Sequence, residues 1–214
     1  MKKRLRNFLR SPAHVLYPLG VLVLLGTMVL SFAADSLAYA LGILHEQTIT
    51  LDDAALYTLV NMERTDAQTL TAVNGDAQLL LQPGQRVRTL RLAAQYPAGL
   101  SCEMDLYWHL PGGGYTAARR IWPTVCADGA GWNYTLPWLA GQNLRLDLAD
   151  QGGAAVTLSA VVLNERIPWY RYFIPTGSQL LALAAVPGLL ACMAALLRDT
   201  AEFFGRKRKE RDMT

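Results

Sequence analysis

Lysine is missing from the whole middle of this 214-residue chain. From Asp35 to Arg171 there are nine arginines and no lysine, against thirteen acids. A nucleic-acid binder concentrates positive charge on its folded domain, so no nucleic-acid partner is expected. Cysteine is scarce. Cys102, Cys126 and Cys192 stand in no CxxC pair and in no Cys/His metal spacing, which speaks against a zinc or redox centre. There is no P-loop, dinucleotide fingerprint, HExxH or nucleophile elbow. No cofactor is expected, and the chain is not expected to be an enzyme.

Charge of either sign is absent from two stretches, Val15 to Ala34 and Phe173 to Leu197. At 1.5 Å per helical residue the first spans about 30 Å, the thickness of the hydrocarbon core. The second is long enough to span with some tilt. Lys2, Lys3, Arg4, Arg6 and Arg10 precede the first, and Arg198, Arg206, Lys207, Arg208, Lys209 and Arg211 follow the second. The positive-inside rule then puts both termini in the cytoplasm and translocates the middle. The division reads: 1–14, a basic cytoplasmic end; 15–34, a membrane helix, with helical spacing continuing through Leu37, Leu41 and Leu44 to about 46; 47–166, an extracytoplasmic domain; 173–197, a second membrane helix; 198–214, a basic cytoplasmic tail. Ser31-Phe32-Ala33 also fits a signal-peptidase site. The long apolar core favours a retained anchor; cleavage would leave a single-pass protein. Ala184 with Gly188 and Ala191 with Ala195 are small-xxx-small pairs suited to close helix packing, and Pro187 should kink that helix.

The middle alternates apolar and polar residues in short runs separated by turn residues. Strands are expected at Leu56 to Met62, Thr69 to Val73, Ala77 to Leu81, Arg86 to Ala93, Ser101 to Leu110, Tyr115 to Trp122, Trp132 to Leu136, Asn143 to Leu148 and Ala155 to Leu163. Asn74-Gly75-Asp76 predicts a hairpin between the second and third of these. Eight or nine short strands without helical patterns between them give a mainly β domain, an antiparallel sandwich or jelly roll flanked by two transmembrane helices. A tight turn at Pro111-Gly112-Gly113-Gly114 would set Cys102 opposite Pro123, near Cys126, so a Cys102–Cys126 disulfide is geometrically conceivable in an oxidising compartment.

Leu106-Tyr107-Trp108, Gly114-Tyr115-Thr116, Trp132-Asn133-Tyr134-Thr135-Leu136-Pro137 and Leu144-Arg145-Leu146-Asp147-Leu148, followed by a last strand and a membrane segment, carry a resemblance. The stretch Leu100 to Leu163 resembles the jelly-roll, carbohydrate-binding-module-like domains of bacterial membrane proteins and glycosyltransferases that build surface polysaccharide. Leu148 stands where that pattern often has proline, and the chain has no glycosyltransferase catalytic domain. The resemblance implies an accessory or sugar-binding role in envelope glycan assembly.

Aromatic rings stack on the apolar faces of pyranoses while carboxylates and guanidinium groups bond the hydroxyls. With Trp108 and Leu146 pointing inward, Glu103, Asp105, Tyr107 and His109 share an outer face with Arg145 and Asp147. Trp122, Trp132, Tyr134 and Trp138 are candidate platforms. The same polar set also suits a plain solvated sheet face with cross-strand pairs. Glu103 and Asp105 are the one carboxylate pair that a glycosidase could use, with no supporting pattern around it. The expected partners are the lipid bilayer, a cell-envelope glycan or a lipid-linked sugar, and a neighbouring membrane glycosyltransferase. The alternative is a docking subunit of a membrane complex that binds no sugar.

Overall fold

Charge-free, leucine-rich segments close their backbone hydrogen bonds internally as helices, while short alternating segments must borrow partners and so form sheets. Both outcomes are seen in the computed structural model, which describes residues 12–97, 104–110, 112–126, 129, 131–138, 140 and 143–211. Two compact units result, one of residues 1–34 with 167–214 and the other Asp35–Arg166.

Helix α1 (Ala13–Ala40), which lies in the first unit up to Ala34, and helix α2 (Gly177–Arg211) are each long and apolar enough to cross a membrane. The 28 residues of α1 rise about 42 Å. Thr176 and Gln179 start α2 with a capping box: the Gln179 amide N–H donates to Thr176 Oγ1 at 3.3 Å, and the Thr176 N–H donates to Gln179 Oε1 at 2.8 Å. The helix therefore starts at Gly177, later than the charge-free run suggests. Gly20 and Gly188 let the two helices approach. A Cβ on Gly20 would lie 3.1 Å from Leu183, and one on Gly188 would lie 3.1 Å from the Tyr17 hydroxyl. That hydroxyl donates to the Ala184 carbonyl at 3.1 Å, one turn from Pro187. Phe32 packs edge-on against Tyr172.

The second unit holds two antiparallel sheets in sandwich fashion. In chain order the strands are β1 (Gln47–Ile49), β2 (Tyr57–Val60), β3 (Met62–Arg64), β4 (Thr69–Ala72), β5 (Ala77–Leu81), β6 (Thr89–Gln95), β7 (Leu106–His109), β8 (Arg120–Ile121), β9 (Thr124–Val125), β10 (Trp132–Thr135), β11 (Asn143–Ala149) and β12 (Ala155–Leu163). The first sheet runs β3-β4-β12-β6-β10-β9, with β1 also on β12; the second runs β2-β5-β11-β7-β8. Leucines at every second position fill the space between them. Leu144, Leu146 and Leu148 of β11 are buried without residue, as are Leu70, Leu92, Leu106, Leu136, Val156 and Leu163. Each such side chain contributes about 2–3 kcal/mol by leaving water.

Three expectations change. The strand expected over Leu56 to Met62 breaks at Asn61, whose φ of 54° turns the chain from the second sheet into the first. Strands β4 and β5 do not form a hairpin: β4 pairs with β3 and β12, and β5 pairs with β2 and β11. A turn signal marks a reversal but does not say which sheet the next strand joins. The connection after β7 is longer than a tight glycine turn, because Ala117–Arg119 form a 3-10 turn before β8. Leu106 consequently opposes Ile121, and Tyr107 opposes Arg120.

One end of the sandwich gathers both chain connections to the apolar helices around Asn164. Its side-chain oxygen accepts the Arg88 amide N–H at 2.7 Å, and its amide donates to the Arg86 carbonyl at 2.8 Å and to Gln85 Oε1 at 3.1 Å. Its own carbonyl accepts the Tyr39 hydroxyl at 2.9 Å. Asp35, only 1% exposed, pairs with Arg88 Nε at 3.1 Å, and Arg88 also donates to the Leu136 carbonyl. Helix α1 stops here in a Schellman motif. Gly42 takes φ 71°, the Ile43 N–H donates to the Ala38 carbonyl and the Gly42 N–H to the Tyr39 carbonyl.

Candidate functional site

Pairing in the second sheet assembles the outer face. Register sets Arg145 of β11 opposite Tyr107 of β7, and Tyr107 opposite Arg120 of β8; Asn143 opposes His109. Period-2 alternation sends all of these away from the leucine core. The Arg145 guanidinium lies 4.5 Å from the Tyr107 ring centroid and 5.5 Å from that of Tyr115. It grips Asp147 through two contacts of 2.8 Å, Nε to Oδ1 and Nη2 to Oδ2. The ring of His109 meets Tyr115 edge-on at 4.7 Å. At the next strand Arg120 reaches Asp105 at 2.5 Å, and its guanidinium carbon sits 3.8 Å from the centre of the Trp122 ring.

The result is two arginine–carboxylate pairs, each stacked on aromatic rings. The pairs are half-sunk in the sheet, where water screens them less than at a free surface. Burial raises the Asp147 carboxyl above its usual range, with Arg145 opposing that rise. Burial also raises Tyr107, helped by the Asp105 charge, and it raises Tyr115 against the pull of Arg145. Trp122 leaves 63% of its surface to solvent. Such a face offers stacking surface together with donors and acceptors of fixed direction.

The structure brings together Asp105, Tyr107, His109, Trp122, Arg145 and Asp147 of the residues expected from sequence. Glu103 lies outside the described residues, so the expected carboxylate pair is represented here by Asp105 alone, bound to Arg120. Trp132 and Tyr134 do not join the face. They sit on β10 in the other sheet with inward parity: Tyr134 is buried and its hydroxyl donates to the Met104 carbonyl at 2.6 Å, and Trp132 packs edge-on against Tyr96 at 5.6 Å. Burial, then the Asp105 charge, raises the Tyr134 hydroxyl pKa far above its ordinary value, so it stays a neutral donor. Trp138 also stays away, with the guanidinium carbon of Arg86 5.0 Å from its ring centroid. Cys126 is buried with a free thiol, and Cys102, its expected partner, lies outside the described residues.

Tyr115 and Arg120 are the members that sequence reasoning missed. Arg120 stands on β8 opposite Tyr107, in a register that the 3-10 turn shifts by two residues from that of a tight turn. Tyr115 follows the glycine-rich connection, where no periodicity states which way a side chain faces.

No protein-family model matches the chain, and no curated protein matches it. A solved structure that aligns with it is a low-affinity xylan-binding module (CBM86) from the gut symbiont Roseburia intestinalis, at 15% identity and a TM-score of 0.38 over 56% of this chain and 94% of that one.

Proposed function

We propose that this chain is a two-span membrane protein, both termini cytoplasmic, whose extracytoplasmic sandwich binds carbohydrate without transforming it. Its place is beside a membrane glycosyltransferase, where it holds a cell-envelope glycan or a lipid-linked sugar. The observation that carries this reading is the row Trp122–Arg120–Tyr107–Arg145–Tyr115 with its two carboxylates, Asp105 and Asp147. Rings in such a row take the apolar face of a pyranose, and the arginine and aspartate edges take its hydroxyls. Two helices of spanning length, with basic residues beyond each, support the topology. Both carboxylates of the row are held by arginine, which suits hydroxyl recognition better than acid–base work.

The test is a glycan array probed with the full chain in detergent, alongside Tyr107→Ala and Trp122→Ala. Wild type should bind a defined set of glycans. Each variant should bind about tenfold more weakly, in line with the loss of one stacked ring. A blank array overturns the reading. The second reading, a docking subunit, is favoured by one observation, the exposure of Val125 on β9 close in sequence to Trp122. A blank array together with a membrane protein that co-purifies with wild type but not with Val125→Asp would establish it.

A further inference from the structure

The face just described leaves unused a second group of arginines at the opposite kind of location, the end of the sandwich where the chain enters and leaves the apolar helices. Arg86 and Arg88 both lie over the ring of Trp138, their guanidinium carbons 5.0 and 5.8 Å from its centroid. Arg88 is occupied by Asp35 and the Leu136 carbonyl. Arg86 stacks on the indole and, among the described residues, has no carboxylate against it. The Trp138 indole N–H is buried without a hydrogen-bond partner among the described residues. Asn164 ties this pair to Arg166, whose guanidinium lies 5.3 Å from the ring centre of Tyr39. Arg166 is exposed and likewise has no carboxylate partner among the described residues. Glu165 is engaged by Arg91 at 3.7 Å, and the acids acting on Tyr39 are Asp35, itself paired with Arg88, and Glu46.

Exposed apolar side chains share this end. Leu37, Leu41 and Ile43 are 59%, 65% and 49% exposed. Chain continuity fixes where the end must be. Asp35 follows the last residue of the first charge-free segment, and Arg166 comes a few residues before the second, so both lie within a short distance of the lipid boundary once the helices cross a bilayer.

We propose that this end of the sandwich binds anionic membrane lipid, with Arg86 and Arg166 each available to a lipid phosphate and Leu37, Leu41 and Ile43 against the upper acyl chains. Guanidinium forks match phosphate geometry. Stacking on Trp138 and Tyr39 restrains both guanidinium groups, so less freedom is lost on binding. Long side chains that keep an apolar stem in the interface and a charged head at the phosphate level are the usual anchors there. This inference rests on the two-span reading of the helices and not on carbohydrate binding.

The test uses the full chain in nanodiscs of phosphatidylcholine with or without phosphatidylglycerol, counting by native mass spectrometry the lipid that stays with the protein after release. Wild type should retain phosphatidylglycerol with a preference well above tenfold. Arg86→Gln should lower that preference about tenfold, the usual loss for a charged hydrogen bond to an anion, and Arg86→Lys should lose less. Arg166→Gln repeats the test should Arg86→Gln fail to fold. Glu63→Gln, on the exposed strand β3, should retain lipid as wild type does. Equal retention of both lipids by wild type, or unchanged preference in both arginine variants, overturns the proposal. So does binding of inorganic phosphate to the detergent-solubilised chain with no lipid preference in nanodiscs. A chain that fails to enter the nanodisc at all refutes the two-span reading instead.

Discussion

Asn164 offers a perturbation whose size follows from its surroundings. It is fully buried, takes φ 54°, and uses both side-chain atoms. Asn164→Ala would leave the Arg88 N–H and the Arg86 carbonyl without the partners they have at 2.7 and 2.8 Å. Each such orphan costs about 1–3 kcal/mol. Forcing alanine into the left-handed region adds about 1 kcal/mol. The sum, about 3–7 kcal/mol, is a large share of the roughly 5–15 kcal/mol that holds a domain together. It corresponds to a fall in Tm of roughly 10–20 °C. Asn164→Gly loses the same bonds but adopts the backbone angle freely, so it should be about 1 kcal/mol more stable than the alanine variant. Asn164→Asp keeps the acceptor for Arg88 but turns an oxygen toward the Arg86 carbonyl. It should be worst at neutral pH and recover as acid restores a proton donor. Four of the five tryptophans lie in the sandwich, so denaturant unfolding of the full chain in detergent, followed by tryptophan fluorescence, reads the series. An alanine variant within about 0.5 kcal/mol of wild type would refute the reasoning, as would a glycine variant less stable than the alanine one.

Removing the buried hydroxyl with Tyr134→Phe should cost about 1–2 kcal/mol by stranding the Met104 carbonyl, while glycan binding stays at the wild-type level; loss of binding without loss of stability would return Tyr134 to the site. Asp147 has a folded-state pKa raised by burial, so the folded chain holds its proton better than the unfolded one. Stability from this group should therefore rise as pH falls toward and through the folded pKa, and decline as pH rises through that window. Asp147→Asn should flatten that limb in urea midpoints measured against pH; parallel curves for the two proteins would contradict it. Gly131, at φ 152°, has no room for a Cβ because the Leu92 carbonyl of β6 occupies that place. Gly131→Ala should cost about 2 kcal/mol or more by shifting β10 against β6, seen as a lower thermal midpoint, whereas Gly114→Ala, in open space, should leave it within about 0.5 kcal/mol.

Local chemistry was enough for much of this molecule. A run without charge must satisfy its own backbone polar groups, and that is enough to place a helix over Val15 to Ala34. Strict alternation in Leu144-Arg145-Leu146-Asp147-Leu148 put leucines in the core and charges outside before any partner strand was known, because a strand turns successive side chains to opposite faces. The same alternation in Leu106-Tyr107-Trp108-His109 put Tyr107 and His109 on the face of the candidate site. Tertiary structure decided the rest. Tyr134 and Trp132 looked like binding platforms by residue type, yet their strand joins the other sheet and points them inward. Arg120 stands opposite Tyr107, and not opposite Asp105 as a tight turn would set it, because a 3-10 turn lengthens the connection and resets the register. Asn164 became the joint between helix end and sandwich only when residues 39, 45, 85, 86 and 88 were folded around it. Sheet membership and register depend on which distant strands find one another, and a single strand's own pattern carries no record of that choice.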